Sequence, residues 1–105
     1  MTMAKRRRKA RRSYLGDSAA EHARKLDVAL ELMEDLTRQG EKYLNNGLCR
    51  TATEALTGAL EARGAAKEHR HSGGGSTGRD QRLTHASVAL QRLRLNILET
   101  CIRND

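Results

Sequence analysis

At 105 residues and a formal charge of +7, the chain has room for one small domain and none for a multidomain enzyme. The charge is unevenly placed: residues 1–16 hold seven basic side chains and no acid, and the remainder holds 13 basic and 13 acidic. The 18 Leu, Ile and Val residues, with no Phe or Trp, fall below roughly one fifth of the chain, a level at which chains of high net charge often bury too little apolar surface to fold; alanine must supply much of the packing, and so thin a core is expected to lean on a partner.

The first segment, residues 1–16, is a basic arm carrying Lys5, Arg6, Arg7, Arg8, Lys9, Arg11 and Arg12. After it, Ser18 and Glu21 have the spacing of a capping box and predict a helix start. Leu26, Leu30, Met33, Leu36, Gly40, Tyr43 and Leu44 continue one face at three- and four-residue intervals, so the helix is expected to run about seven turns and stop at Asn45-Asn46-Gly47. Thr51 and Glu54 repeat the capping spacing. Ala52, Ala55, Leu56, Ala59, Leu60, Ala62 and Ala66 then form a stripe made largely of methyl groups, which lets two helix axes approach closely.

Residues 17–71 thus read as a helical hairpin, 72–79 as a flexible Gly/Ser-rich linker, and 80–105 as a C-terminal helix capped by Asp80. That last helix has two apolar sets. Leu83, Ala86, Leu90, Leu93, Ile97 and Cys101 lie on one face and Val88, Leu95, Leu98 and Ile102 on its neighbour; at 100° per residue the sets together span about 220° of the helix. One neighbour cannot cover so wide an arc. The helix is expected to pack against both earlier helices, or against one of them and another molecule, with Val88, Leu95, Leu98 and Ile102 as the candidate protein interface. The fold class expected is all-α: a small three-helix unit, antiparallel hairpin plus C-terminal helix, with an extended basic arm.

Residues 36–64 resemble a single tetratricopeptide repeat, whose pattern runs W-x2-L-G-x2-Y, then A-x3-F, then a small residue and P. Leu36 stands at the Trp position and Gln39 at the Leu position; Gly40, Tyr43, the turn glycine Gly47, Ala52 and Ala59 match. Leu56 replaces Phe and Gly64 takes the proline place. The resemblance implies a helical hairpin whose glycine and alanines sit where its two helices touch, together with a tendency to contact protein. It implies no catalytic residue, and no second copy is visible, although repeat folds stack about three units to bury a continuous core.

Cys49 and Cys101 lie far apart with no C-x-x-C spacing, which excludes a zinc ribbon and a thioredoxin-like motif. Two free, half-buried thiols in a reducing compartment are expected, with one disulfide or a ligand role as the alternatives. No run approaches the roughly 18 apolar residues of a membrane span, and the basic start lacks the hydrophobic stretch of a secretory signal. KRRRKARR is also too continuous a block for a transit peptide, which spaces its charges around an amphipathic face. The expected location is intracellular, cytoplasmic or nucleoid-associated, or the inside of a virion.

The arm carries the clearest chemistry. Seven cations within eight positions attract a polyanion and release its counterions, giving affinity without sequence reading; with Tyr14 the only aromatic nearby, stacking on bases is not provided for. An acidic protein surface, membrane lipid, a localisation signal or a solubility tail are the other uses of such a block. Arg79, Arg82, Arg92, Arg94 and Arg103 either extend a phosphate track or form a solvated face. His69 and His71 point about 200° apart on a helix, which disfavours a shared metal there with Cys49 or Cys101 and suits cations at a helix C-terminus. Asp27, Glu31, Glu34 and Asp35 sit at helix-neighbour spacing from Arg24, Lys25 and Arg38, as in a solvated face. No nucleophile elbow, Walker loop or dinucleotide fingerprint is present. The expectation is a non-enzymatic small basic protein of a nucleoprotein assembly, without metal or cofactor. It would bind DNA or RNA non-specifically through the arm and dock on a protein partner or on copies of itself through its helices, as a virion structural or genome-binding component does. The alternative is an interaction or regulatory adaptor whose arm binds an acidic protein surface.

Overall fold

The computed structural model describes residues 18–102; the arm, with Lys5 to Arg12, and Arg103 lie outside them. Three helices, α1 (Ala19–Asn45), α2 (Cys49–His69) and α3 (Thr77–Ile97), account for most of the described chain, and no strand occurs among the described residues. The class is all-α. In α1 the Ser18 hydroxyl accepts a bond from the Glu21 amide at 3.2 Å, one half of the expected capping box. The Glu21 carboxylate turns instead to Arg24, at 2.6 Å. The other end of α1 falls where expected. Gly47 adopts φ +77°, its amide donates to Leu44 O, and the Leu48 amide donates to Tyr43 O at 2.9 Å, a Schellman arrangement that satisfies the last carbonyls and needs a residue tolerant of left-handed φ.

The Thr51–Glu54 cap does not form. The chain re-enters helix at once, so Leu48 occupies the cap position without a side-chain bond and Thr51 is already inside the first turn. The alanine face of α2 packs as expected: Ala52, Ala59 and Ala66 are fully buried. Leu60 does not join it and is exposed.

The expectation of a flexible linker at 72–79 is corrected. A wide turn, Arg70–Gly74, closes α2, and Gly73 reverses the chain at φ +110°. Gly74 is buried against α1, where a Cβ would lie 2.6 Å from the carbonyl carbon and oxygen of His22. These glycines allow backbone to touch backbone and do not serve as a tether. Helix α3 also starts earlier than Asp80. Ser76 is its cap, accepting from the Arg79 amide at 3.2 Å, and the Asp80 carboxylate accepts from Arg70 Nε at 2.7 Å.

Helix α3 runs parallel to α1 and packs against both earlier helices, burying Leu83, Ala86, Leu90, Leu93 and Ile97. Seven of the 15 buried apolar residues are alanine, so the core is shallow and the larger residues of α1 and α3 fill it: Leu26, Leu30, Met33, Leu90 and Leu93 are the bulkiest fully buried side chains. Gly40 lies under Leu93 of α3, whose Cδ2 would be 2.6 Å from an added Cβ; the expectation that Gly40 serves the contact between α1 and α2 is corrected. Gly58 does serve that contact: an added Cβ there would lie 3.0 Å from Leu36 Cδ1. The one buried polar residue among those described, Thr37, donates its hydroxyl to Met33 O at 2.7 Å.

The free thiols expected from the sequence are bonded. Helix α3 brings its end back to the start of α2, and a wide turn, Leu98–Ile102, carries Cys101 to Cys49 with Cα atoms 5.7 Å apart. The bridge spans 52 residues, and closing so long a loop in the unfolded chain contributes up to about 4 kcal/mol in the chain-entropy model.

Two stability tests follow from this packing. Gly74→Ala is expected to cost roughly 1–3 kcal/mol in urea unfolding, because backbone must move, whereas Gly64→Ala, with nothing within 4 Å of the new Cβ, should be stabilising by up to about 1 kcal/mol through helix propensity. Reduction with a thiol, or Cys49→Ser/Cys101→Ser, should lower the urea midpoint without abolishing helicity; an unchanged midpoint would show that the bridge constrains nothing.

Candidate binding surfaces

The charges of the helical body are largely spent on one another. Arg79 forms a two-pronged pair with Asp27, Nε to Oδ1 at 2.8 Å and a second nitrogen to Oδ2 at 3.1 Å. Arg82 grips Glu34 in the same way, at 2.9 and 2.7 Å. Both pairs tie α3 to α1. Neither arginine is therefore offered to an outside phosphate, and Asp27 and Glu34, expected on a solvated face of α1, reach across to another helix. Arg24–Glu21, Arg38–Asp35, Arg50–Glu54 and Arg70–Asp80 are paired as well. Arg92 and Arg94 are exposed.

The guanidinium hydrogen bond from Arg79 holds the Asp27 carboxyl below the usual carboxylate range, against a smaller opposing effect of desolvation, and that from Arg82 does the same for Glu34. The pairs are half-exposed, Arg82 at 39% and Glu34 at 31%, so solvent screens them and the second is worth less than about 1 kcal/mol.

The histidines divide. His22, at the start of α1, and His69, at the end of α2, place their Nδ1 atoms 3.1 Å apart, one donating and the other accepting according to tautomer. His71 is exposed. The His69, His71 and cysteine grouping weighed from the sequence does not assemble, since His69 faces His22 and the two sulfurs are bonded to each other. Among the described residues no cluster of three or more His, Cys, Asp or Glu is placed to hold a metal, and no helix is long and apolar enough to cross a membrane.

The candidate interface residues of α3 are all exposed: Val88 53%, Leu95 58%, Leu98 43% and Ile102 62%. The helix needs two neighbours for its first apolar set and finds them in α1 and α2, which leaves this second set facing outward. Two grooves were not anticipated. One, about 370 Å³, is lined by α1 and α2 alone, with Val28, Leu32 and Ala65 together with Arg24 and Lys25. The other, about 510 Å³, runs between α2 and α3, with Arg63, Lys67 and Arg70 on the α2 side. Val28 and Leu32 are one turn apart and off the buried stripe of α1, a second apolar pair whose spacing is visible in the sequence beside the main face.

Compared with known protein families, curated proteins and solved structures, the chain matches none.

The cross-helix pairs predict an acid dependence whose sign is set. Both carboxyls titrate lower in the folded chain than in the unfolded one, so their contribution is complete above roughly pH 4–4.5, the ordinary Asp and Glu range, and is lost as pH falls through the depressed folded values. Stability followed by urea unfolding should drop as pH falls below about 4.5, and the drop should be smaller in Asp27→Asn/Glu34→Gln. Parallel curves for the two proteins would assign the acid sensitivity to other groups.

Proposed function

We propose that the chain is a non-enzymatic component of a nucleoprotein assembly, its arm neutralising phosphates of DNA or RNA and its helices docking on protein. One observation carries this reading: the whole net charge of +7 lies in residues 1–16 and the remaining 13 cations are matched by 13 acids. A cationic block of that density binds a polyanion through counterion release whatever the base sequence. The body supports the division of labour, because six of its arginines are held in ion pairs with its own acids. For docking, the exposed stripe of Val88, Leu95, Leu98 and Ile102 offers apolar area to a shell protein, to another partner or to a second copy.

The place such a protein works is wherever the nucleic acid is held, inside the cell or inside a virion. The Cys49–Cys101 bond favours the particle over a reducing cytosol, since disulfides persist in oxidising surroundings. This replaces the inference drawn from free thiols.

Titration of duplex DNA at increasing salt tests the reading. The logarithm of the affinity is expected to fall linearly with the logarithm of salt, with a slope approaching about −6 if all seven cations meet phosphates, and removal of residues 1–12 should abolish most of the binding at low salt. Affinity unchanged by that deletion, or no affinity for DNA or RNA at low ionic strength, sinks it; capture of an acidic protein in its place selects the adaptor reading.

A further inference from the structure

The groove between α2 and α3 is lined in part by cations that stand outside the internal pairing. Arg63 and Lys67 are one turn apart on α2, about 6 Å along its axis, and neither has an ion-pair partner among the described residues. Arg70 follows on the same side, its Nε bonded to Asp80 at 2.7 Å, and Asp80 is the only carboxylate among the lining residues. Beyond Asp80 the α3 wall is uncharged and polar, with Thr84, Ser87 and Gln91. Thr84 donates its hydroxyl to Asp80 O, while Ser87 and Gln91 make no hydrogen bond to described residues. The same helix contributes Leu83, which is buried, and Val88, which is half uncovered.

We infer that this groove is a second nucleic-acid contact, built for a single strand: its phosphates along Arg63 and Lys67, the flat apolar face of a base over Val88, and base or sugar polar groups against Ser87 and Gln91. This rests on the reading of the arm as a nucleic-acid binder. Three features select the ligand. With Arg70 matched by Asp80, Arg63 and Lys67 leave the lining with two uncompensated cations, which calls for an anion. The half-exposed Val88 beside them calls for a ligand with an apolar face as well, which a bare polyphosphate lacks. A cleft of about 510 Å³ between two packed helices admits one strand, whereas a duplex would rest on its rim and meet few of these side chains. The opposite groove, with Val28 and Leu32, lacks this pairing of a cation row with a neutral polar wall.

The full chain, its Arg63→Gln/Lys67→Gln variant and a Ser87→Glu variant, which sets a carboxylate opposite the cations, are titrated with a single-stranded oligonucleotide, a duplex and polyphosphate across a salt series. The double variant should reduce the magnitude of the single-strand slope by about 1.4, two contacts at roughly 0.7 each, and Ser87→Glu should weaken single-strand binding too, while duplex and polyphosphate slopes stay as in the unmodified chain. If the unmodified chain binds the oligonucleotide and both variants match it in slope and affinity, the groove inference is overturned and the arm reading stands. An equal loss toward polyphosphate makes the groove a general anion site and overturns the single-strand assignment. No binding by the unmodified chain to any of the nucleic acids defeats the arm reading itself. Far-ultraviolet circular dichroism of the variants separates these outcomes from loss of the fold.

Discussion

Leu93 occupies a hollow that exists because residue 40 has no side chain. A Cβ at that point would meet the leucine at 2.6 Å, and Leu93 is fully buried, so the leucine could not simply swing into solvent. This contact seats α3 against α1 at a depth the alanine face of α2 also permits, and much else depends on it. With α3 held there, parallel to α1, its first turns bring Arg79 and Arg82 to Asp27 and Glu34, and its end returns to the start of α2, where Cys49 and Cys101 join. A chain with so few large apolar residues cannot rely on a deep core. It relies on close approach, where seven buried alanines let backbones come near enough for a handful of leucines to fill the space, and on a covalent bridge across the far end.

The same geometry settles how charge is used. Sequence spacing suggested a body whose acids and bases meet within each helix, and several do. The two-pronged pairs, however, cross from α3 to α1 and remove Arg79 and Arg82 from the cations open to a ligand. Among the described residues, Arg63 and Lys67 along one groove, Arg92 and Arg94 farther down α3 and Lys42 near the end of α1 stand outside the pairing. The contrast between an internally balanced body and a dense cationic arm is sharper with these pairs in place than the bare count of charges implied. It is the physical basis for reading the arm as the polyanion-binding part and the apolar outer stripe of α3 as the part that meets protein.

Periodicity was enough to place the three helices, the turn at Asn46 and Gly47, and the two apolar sets of α3, because helix formation and the side chains that share a helix face follow from local spacing. Capping was less legible. Ser18 and Ser76 cap helices, but only Ser18 has the capping-box spacing that marks it in the sequence; Thr51 and Asp80 carry suitable side chains but lie inside their helices, since the chain enters helix before them. The resemblance to a tetratricopeptide unit placed Gly40 at the contact of two helices, which it is, but the partner is α3 and not the other arm of the hairpin.

Residue order thus carried the helical class, the amphipathic faces and the concentration of positive charge at the start of the chain, all properties that depend on neighbours three or four positions away or on simple counting. Spatial packing supplied the Cys49–Cys101 bond, the His22–His69 contact, the Arg79–Asp27 and Arg82–Glu34 pairs and the burial of Gly74. Each of these joins residues about 50 positions apart in the chain, and whether they meet depends on how far one helix slides along another. That sliding is governed by the fit of Leu93 over Gly40 and Leu36 over Gly58, a matter of ångström-scale shape that a pattern of apolar and polar letters does not encode.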